Sequence, residues 1–332
     1  MQKNLSKKLV NNKYIKIIKS ALEYREDLFN DETTSAFRVF NGNGDGIDGL
    51  TIDYFNDYYL LTWFSPEIYQ ERNTIIEALK MATYFKGIYQ KLKYNPSGKI
   101  DNNSNDFICG TKAPEPLIIK ENNVNFAIYL DDGAMVGIFL DQKDVRKTIR
   151  DKYSKNKTML NMFSYTGAFS VYSVLGGAIK TTSVDLAKRS RAKTIEQFEI
   201  NSIDAKSQNI VVDDVFGYFK YAIKKNLLFD LVVLDPPSFA RNKKMTFSVS
   251  KDYVNLLKEA IQITSKGGII VASTNYSKLN MRVFKECIEQ SFKELSGKYI
   301  IKETFSLPKD FKVLNESSQE NYLKVIFIKK LS

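Results

Sequence analysis

The stretch Asn161-Met-Phe-Ser-Tyr-Thr-Gly-Ala-Phe-Ser170 decides how this chain is read. It joins an apolar run, Met159 to Phe163, to an apolar-periodic one, Ala168 to Leu175, through a short turn with one glycine. A buried strand, a tight turn and a helix have that pattern. In a doubly wound sheet the first such turn is where a nucleotide-like ligand settles. Gly167 lets the backbone approach a ligand closely, and the helix after it offers free N–H groups.

Carboxylates then recur at strand ends. Asp185 closes the next apolar strand, Thr181-Thr-Ser-Val-Asp185, about 20 residues on, where a ribose-binding acid sits in such folds. Asp214 closes a third short strand, and Asp235-Pro236-Pro237-Ser238 ends a fourth that begins at Phe229. Four consecutive strand ends carrying polar groups build one rim, which favours a ligand site over chance.

The second half, 151–332, alternates strand and helix. Helices are expected near 167–176, 188–202, 215–226, 250–264 and 278–296. Strands are expected near 158–163, 180–185, 209–213, 229–234, 267–273, 298–306 and 321–329. Such alternation implies right-handed crossovers and a mainly parallel sheet, with an antiparallel strand added by the final pair around Pro308. The first half divides into a helical segment, 1–33, with Ile15, Ile18 and Leu22 on one stripe, and a small α+β domain, 34–150. Within it Pro66 opens a helix to about Thr83, and 94–113 reads as a polar loop carrying Cys109.

Composition narrows the chemistry. The 332 residues carry a net charge of +11, mostly from Lys, with nine Arg. A basic surface attracts polyanions, although a Lys- and Asn-rich composition is equally that of an ordinary soluble surface. The chain has no His, which removes His-based triads, His metal sites and imidazole bases together. Two distant cysteines, Cys109 and Cys287, form no metal-ligand pattern, so no metal is expected. The polar N-terminus has no export signal, and no run approaches the roughly 18 apolar residues of a membrane span. Together these point to a cytoplasmic protein, with a homodimer compatible.

The runs FSYTGAFS, SVDLAKR, DDVF and LDPPSFAR resemble the class I S-adenosylmethionine methyltransferases, and more narrowly the RlmI/RlmK-like branch that methylates bases of large-subunit ribosomal RNA. Gly137-Ile-Phe-Leu-Asp-Gln-Lys-Asp-Val-Arg146, Asp45-Gly-Ile-Asp-Gly-Leu-Thr-Ile-Asp53, Leu307-Pro-Lys-Asp-Phe311 and Tyr322-Leu-Lys324 are similar to further segments of that branch. The resemblance runs from about residue 36 to the end. It implies a seven-stranded Rossmann-like α/β fold preceded by a smaller α+β domain, with S-adenosylmethionine as cofactor and ribosomal RNA as partner. An RNA-binding PUA domain usually precedes this segment in the family, and the first 35 residues are expected to be too few for one.

The resemblance also implies roles. Phe163, Ser164, Tyr165, Thr166 and Gly167 would lie along the methionine part of the cofactor. Asp185, with Leu186, would hold the ribose hydroxyls, a carboxylate suiting a diol because it only accepts. Asp214 would accept from the adenine amino group, with Val215 or Phe216 against the ring. Phe139, Asp141, Gln142 and Arg146 would close over the cofactor, Arg146 pairing with its carboxylate; the plainer alternative is an exposed polar helix start. Asp235, Pro236 and Pro237 would carry catalysis with Asn275, while Ser238 and Phe239 meet a flipped base and Arg241 and Lys243 touch phosphates or simply face solvent. An NAD site is the competing reading of the rim, but the first loop lacks G-x-G-x-x-G.

One departure bears on the reaction. RlmI-like cytosine-C5 enzymes carry a Cys at the strand end where this chain has Ser273, Thr274 and Asn275. C5 of a pyrimidine is a poor nucleophile until a thiolate adds at C6. A ring nitrogen such as guanine N7 needs neither thiolate nor base, so the thiol-free chain fits that acceptor better. A small-molecule or protein methyltransferase, and a non-catalytic RNA-binding assembly factor, are the alternatives.

Overall fold

A computed structural model describes residues 2–94, 106–133, 135–241, 246–315 and 320–332. The chain divides into two units, Met1–Leu140 with Pro308–Glu316, and Asp141–Leu307 with Ser317–Ser332.

In the first unit, α1 (Gln2–Tyr24) buries Tyr14, Ile18 and Ala21, four and three residues apart, as an amphipathic stripe. The helix breaks at Arg25 before α2 (Glu26–Phe29), where a single helix over 1–30 is expected. The break frees the Arg25 side chain to turn inward. It donates to both Asp45 oxygens at 2.7 Å and to the Asp310 carbonyl at 2.7 and 3.1 Å. Strands β1 (Ala36–Asn41), β2 (Leu50–Phe55) and β3 (Tyr58–Trp63) form a meander. Ser65 caps α3 (Pro66–Gln70), with Pro66 in the first turn where its missing N–H costs nothing. The chain turns at Glu71 into α4 (Arg72–Ala82), so the expected helix to Thr83 is two. Strands β4 (Gly87–Leu92) and β5 (Phe107–Gly110) complete a sheet of order β1-β2-β3-β4-β5, in which only β3 and β4 run parallel. Cys109 therefore lies on an edge strand rather than in a polar loop. Phe107-Ile-Cys is too short a run to announce a strand, but Ile108 and Cys109 pack on the core of Phe37, Ile52, Leu61, Trp63 and Leu79. A separate hairpin, β6 (Leu117–Glu121) and β7 (Val124–Ile128), follows.

The second unit opens with α5 (Lys143–Thr148), which runs into a π-helical turn, Ile149–Tyr153. Then come β8 (Thr158–Met162), α6 (Ala168–Leu175), β9 (Lys180–Asp185), α7 (Lys188–Glu199), β10 (Asn209–Val212), α8 (Val215–Lys224) and β11 (Phe229–Leu234). A short hairpin, β12 (Phe239–Arg241) and β13 (Thr246–Ser248), leads to α9 (Val249–Gln262), β14 (Thr264–Thr274), α10 (Met281–Glu294), β15 (Tyr299–Phe305) and β16 (Lys324–Lys330). The sheet order is β10-β9-β8-β11-β14-β16-β15, parallel except that β16 is antiparallel to both neighbours. Each expected strand and helix of this half is present, as is the α/β class; the β12–β13 hairpin is the addition.

Both sheet faces are covered. Leu160, Met162, Val232, Leu234 and Ile270 pack beneath α8, α9 and α10. Met159, Leu231, Val233, Val271 and Phe327 face Val145 of α5 and Phe169 of α6. That two-sided burial is why these strands read as unbroken apolar runs. Each such side chain contributes about 1.5–3 kcal/mol. Strand order reverses direction at β8 and β11, so the crevice for a ligand opens beyond their C-terminal ends.

Candidate active site

The strand registers align one row of residues along the C-terminal edge of the sheet. Met162 pairs with Val184 and with Leu234, and Leu234 pairs with Ala272. The next residues, Asp185, Phe163, Asp235 and Ser273, are therefore neighbours in that order. Val212 pairs with Asp185, which brings Asp213 and Asp214 to the same rim.

The loop after β8 is conformationally expensive. Phe163 (φ +59°), Tyr165 (φ +51°) and Gly167 (φ +80°) all occupy the left-handed region. For Phe and Tyr each such residue costs about 1–3 kcal/mol and persists only where the surroundings enforce it. Here the Tyr165 amide donates to Asp185 Oδ2 at 2.8 Å, Ser164 N to the Val184 carbonyl at 3.0 Å, and Gly167 N to the Ser164 carbonyl at 2.7 Å. Below the loop, buried Asn161 Nδ2 donates to Ser170 Oγ at 3.0 Å, which shares a 2.7 Å hydrogen bond with Ser183 Oγ. A Cβ on Gly167 would lie 2.6 Å from Thr194 Cγ2, so any side chain there forces the loop or Thr194 to shift.

Asp185 also accepts from Ala187 N at 2.8 Å, so each of its oxygens has taken one backbone N–H and keeps a lone pair toward solvent. Asp214 caps α8 by accepting from Gly217 N at 3.1 Å. Of the two residues expected near an adenine ring, Val215 is turned into the core. Phe216 stays at the rim beside Phe247 and Phe163, with ring centroids 5.6 and 6.4 Å away.

At the other end of the row lies a polar cluster. Gln142 Nε2 donates to Asp235 Oδ1 at 3.1 Å and to Ser273 Oγ at 2.8 Å. The Ser273 hydroxyl stands beside the Asp235 carboxylate and favours its anion. Gln142 is 3% exposed and Ser273 1% exposed. The plainer alternative, an exposed polar helix start, does not hold here, because Gln142, Lys143 and Arg146 are all buried. Burial pushes the Asp235 carboxyl up to about 6 and the nearby Asp141 carboxylate adds to this, while Ser273, Arg146 and Gln142 pull the other way. Tyr322 donates its hydroxyl to Asp141 Oδ2 at 2.8 Å, which ties the C-terminal segment into the cluster.

Comparison with known proteins accounts for this arrangement. Residues 37–314 match the family model described as S-adenosylmethionine-dependent methyltransferase. The chain belongs to that family. Over 318 residues this methyltransferase is 52% identical to YwbD of Bacillus subtilis (strain 168), assigned by name to large-subunit ribosomal RNA methylation, covering 96% of this chain and 80% of that one. It is 27% identical over 317 residues to ribosomal RNA large subunit methyltransferase I of Aeromonas salmonicida (strain A449), covering 95% and 80%. Its fold superposes on the crystal structure of SMU.776, a methyltransferase complexed with SAH, with a TM-score of 0.90 at 42% identity, covering 96% and 81%.

The methyltransferase uses S-adenosylmethionine, and its rim fits that group. The left-handed loop leaves room for backbone approach, and Gln142 Oε1 is a buried acceptor with no hydrogen-bond partner among the described residues. Around the rim, Ser238 Oγ donates to Asn275 Oδ1 at 2.7 Å, joining the turn after β11 to that after β14. Pro236 is buried and Pro237 exposed, and Phe239 is 60% exposed. Leu186 is exposed, whereas Ser164 and Thr166 are buried. Arg146 lies beneath Phe169, 5.8 Å from its ring centroid. Phe139 belongs to the first unit. Arg241 ends β12, but its side chain and all of Lys243 lie outside the described residues. Sequence reasoning did not single out Tyr253, whose hydroxyl donates to the Ser273 carbonyl at 2.8 Å from α9, because a helix-face tyrosine carries no signal of its partner.

Proposed function

We propose that this methyltransferase modifies large-subunit ribosomal RNA at a ring nitrogen, guanine N7, rather than at cytosine C5. The names of its relatives support the RNA class. In this reading the seven-stranded unit holds the cofactor and the smaller unit serves the RNA side.

The observation that carries the choice of atom is Ser273. It stands at the strand end where C5 enzymes of the resembled branch carry their thiol, and its hydroxyl is buried, bonded by Gln142 and set beside Asp235. The two thiols lie elsewhere. Cys109 is on β5 of the first unit and Cys287 on α10, and burial pushes both up, against thiolate formation.

When bound, the cofactor supplies a methyl group made electrophilic by a sulfonium. Asp185 and Asp214 would hold the ribose and adenine ends with their remaining lone pairs, and Arg146 the carboxylate end. Phe239 offers an open aromatic face on which an extruded base stacks. A purine N7 lone pair would take the methyl group as the C–S bond breaks onto sulfur, so no proton would be lost and no base of this chain is required. Positive charge thereby moves onto the purine. Asp235 supplies a fixed negative charge beside it, and holding the acceptor in line provides most of the rest.

A protein lacking both thiols, Cys109→Ala with Cys287→Ala, tests the reading. It should transfer methyl groups to ribosomal RNA at close to the wild-type rate. Complete loss of transfer in a folded, cofactor-binding double variant overturns it.

A further inference from the structure

Gln142 is an awkward residue to bury. Its amide faces Asp235, and a carboxylate only accepts, so the NH2 group must point toward Asp235 and Ser273. That orientation turns Oε1 away, where it is buried and meets no donor among the described residues. A Leu or Met of similar length would fill the space without an orphaned acceptor. Stability alone therefore does not explain Gln142, and its two donated hydrogen bonds do.

Those bonds set up a triangle. Ser273 Oγ accepts from Gln142 at 2.8 Å, which leaves its own O–H to turn toward the neighbouring Asp235 carboxylate, whose anion it favours. The Tyr253 hydroxyl, the other buried donor nearby, is committed to the Ser273 carbonyl. The two groups beside the Asp235 carboxylate thus lie next to each other, one from the segment before α5 and one from β14.

We infer that Gln142 and Ser273 are positioning residues: their donors fix the Asp235 carboxylate in its anionic form and aim its second oxygen at the acceptor base. The inference rests on the reading above, in which Asp235 lies beside the base. It also gives a reason for serine at this strand end, since a thiol is a weak donor and would leave the triangle open.

The charged and titratable groups facing Asp235 are Asp141 from the segment before α5, Arg146 from α5 and Tyr253 from α9. Asp141 and burial oppose the anion, and Arg146 favours it. With the carboxyl already pushed up to about 6, loss of either group raises it further. A neutral acid there has no charge with which to stabilise the cation formed on the purine.

The test is a carboxyl-carbon NMR titration of the cofactor-free protein, with Asp235→Asn assigning the resonance. The variants are Gln142→Met and Ser273→Ala; the second removes one oxygen and keeps the test open if the first does not fold. The Asp235 midpoint should rise by about one unit in each. The acid limb of kcat should move up in parallel, with KM for RNA unchanged. A midpoint that stays at the wild-type value in Ser273→Ala overturns the inference. If Asp235→Asn keeps the wild-type kcat, the reading of Asp235 beside the base fails instead, whatever the titration shows.

Discussion

Arg25 and Asp45 are joined by two parallel hydrogen bonds of 2.7 Å, with side chains only 0% and 1% exposed. The same guanidinium holds the Asp310 carbonyl, whose carboxylate accepts from Arg38 N at 3.0 Å, and Arg38 pairs with Asp53 at 2.5 Å beneath the Phe311 ring. The segments 45–53 and 308–311, which stand out in the sequence, thus meet as a clasp that fastens residues 308–315 into the first unit. Gly44 lies so close to the Lys312 carbonyl that a Cβ would be 1.9 Å from it.

Removing one partner of that pair strands a buried charge. Asp45→Ala should lower stability by about 3–5 kcal/mol in denaturant unfolding. Arg25→Lys should also destabilise, because an ammonium cannot make both bonds to the carboxylate. A loss below about 1 kcal/mol for Asp45→Ala, the value of a surface pair, contradicts the clasp.

Gly167→Ala meets two obstacles at once, a positive φ and Thr194 at 2.6 Å. The loop must shift, so calorimetry should find S-adenosylmethionine binding at least about tenfold weaker, equivalent to about 1.4 kcal/mol. Unchanged affinity would show that the loop does not meet the cofactor.

Asp185→Asn replaces an acceptor oxygen with an NH2 group facing either Tyr165 N or Ala187 N. Two donors then oppose each other and the loop loses one anchor. Cofactor affinity should fall about tenfold or more, while Asp204→Asn, at a surface turn remote from the rim residues in sequence, should leave it unchanged.

The reach of sequence reasoning differs between the two units for a physical reason. The seven-stranded sheet is buried on both faces, so β8, β11 and β14 appear as apolar runs, and Asp235 after β11 and Ser273 on β14 mark the rim. The β12–β13 hairpin and β5 are three or four residues long, too short for any periodicity. Arg25 is opaque in another way. It sits in a polar, helix-like run that looks solvated, and only contacts with Asp45 and Asp310, distant in sequence, make it buried.

Asp235 also predicts a pH signature in stability. Its carboxyl titrates at about 6 when folded against an ordinary 3.8, so between those values the folded state binds the extra proton. Stability contributed by this group therefore falls as pH rises through that window, and the penalty is complete above it. Asp235→Asn should raise stability by about 3 kcal/mol at pH 8 and change it little at pH 4. An equal effect at both pH values would assign the change to packing.

The most direct measurement of the central claim is the identity of the modified nucleoside. Purified protein, methyl-labelled S-adenosylmethionine and ribosomal RNA from a strain lacking the gene are incubated together. The RNA is digested to nucleosides and analysed by mass spectrometry. Label in 7-methylguanosine is the predicted result. Label in 5-methylcytidine would contradict it and require a thiol at the rim where Ser273 stands.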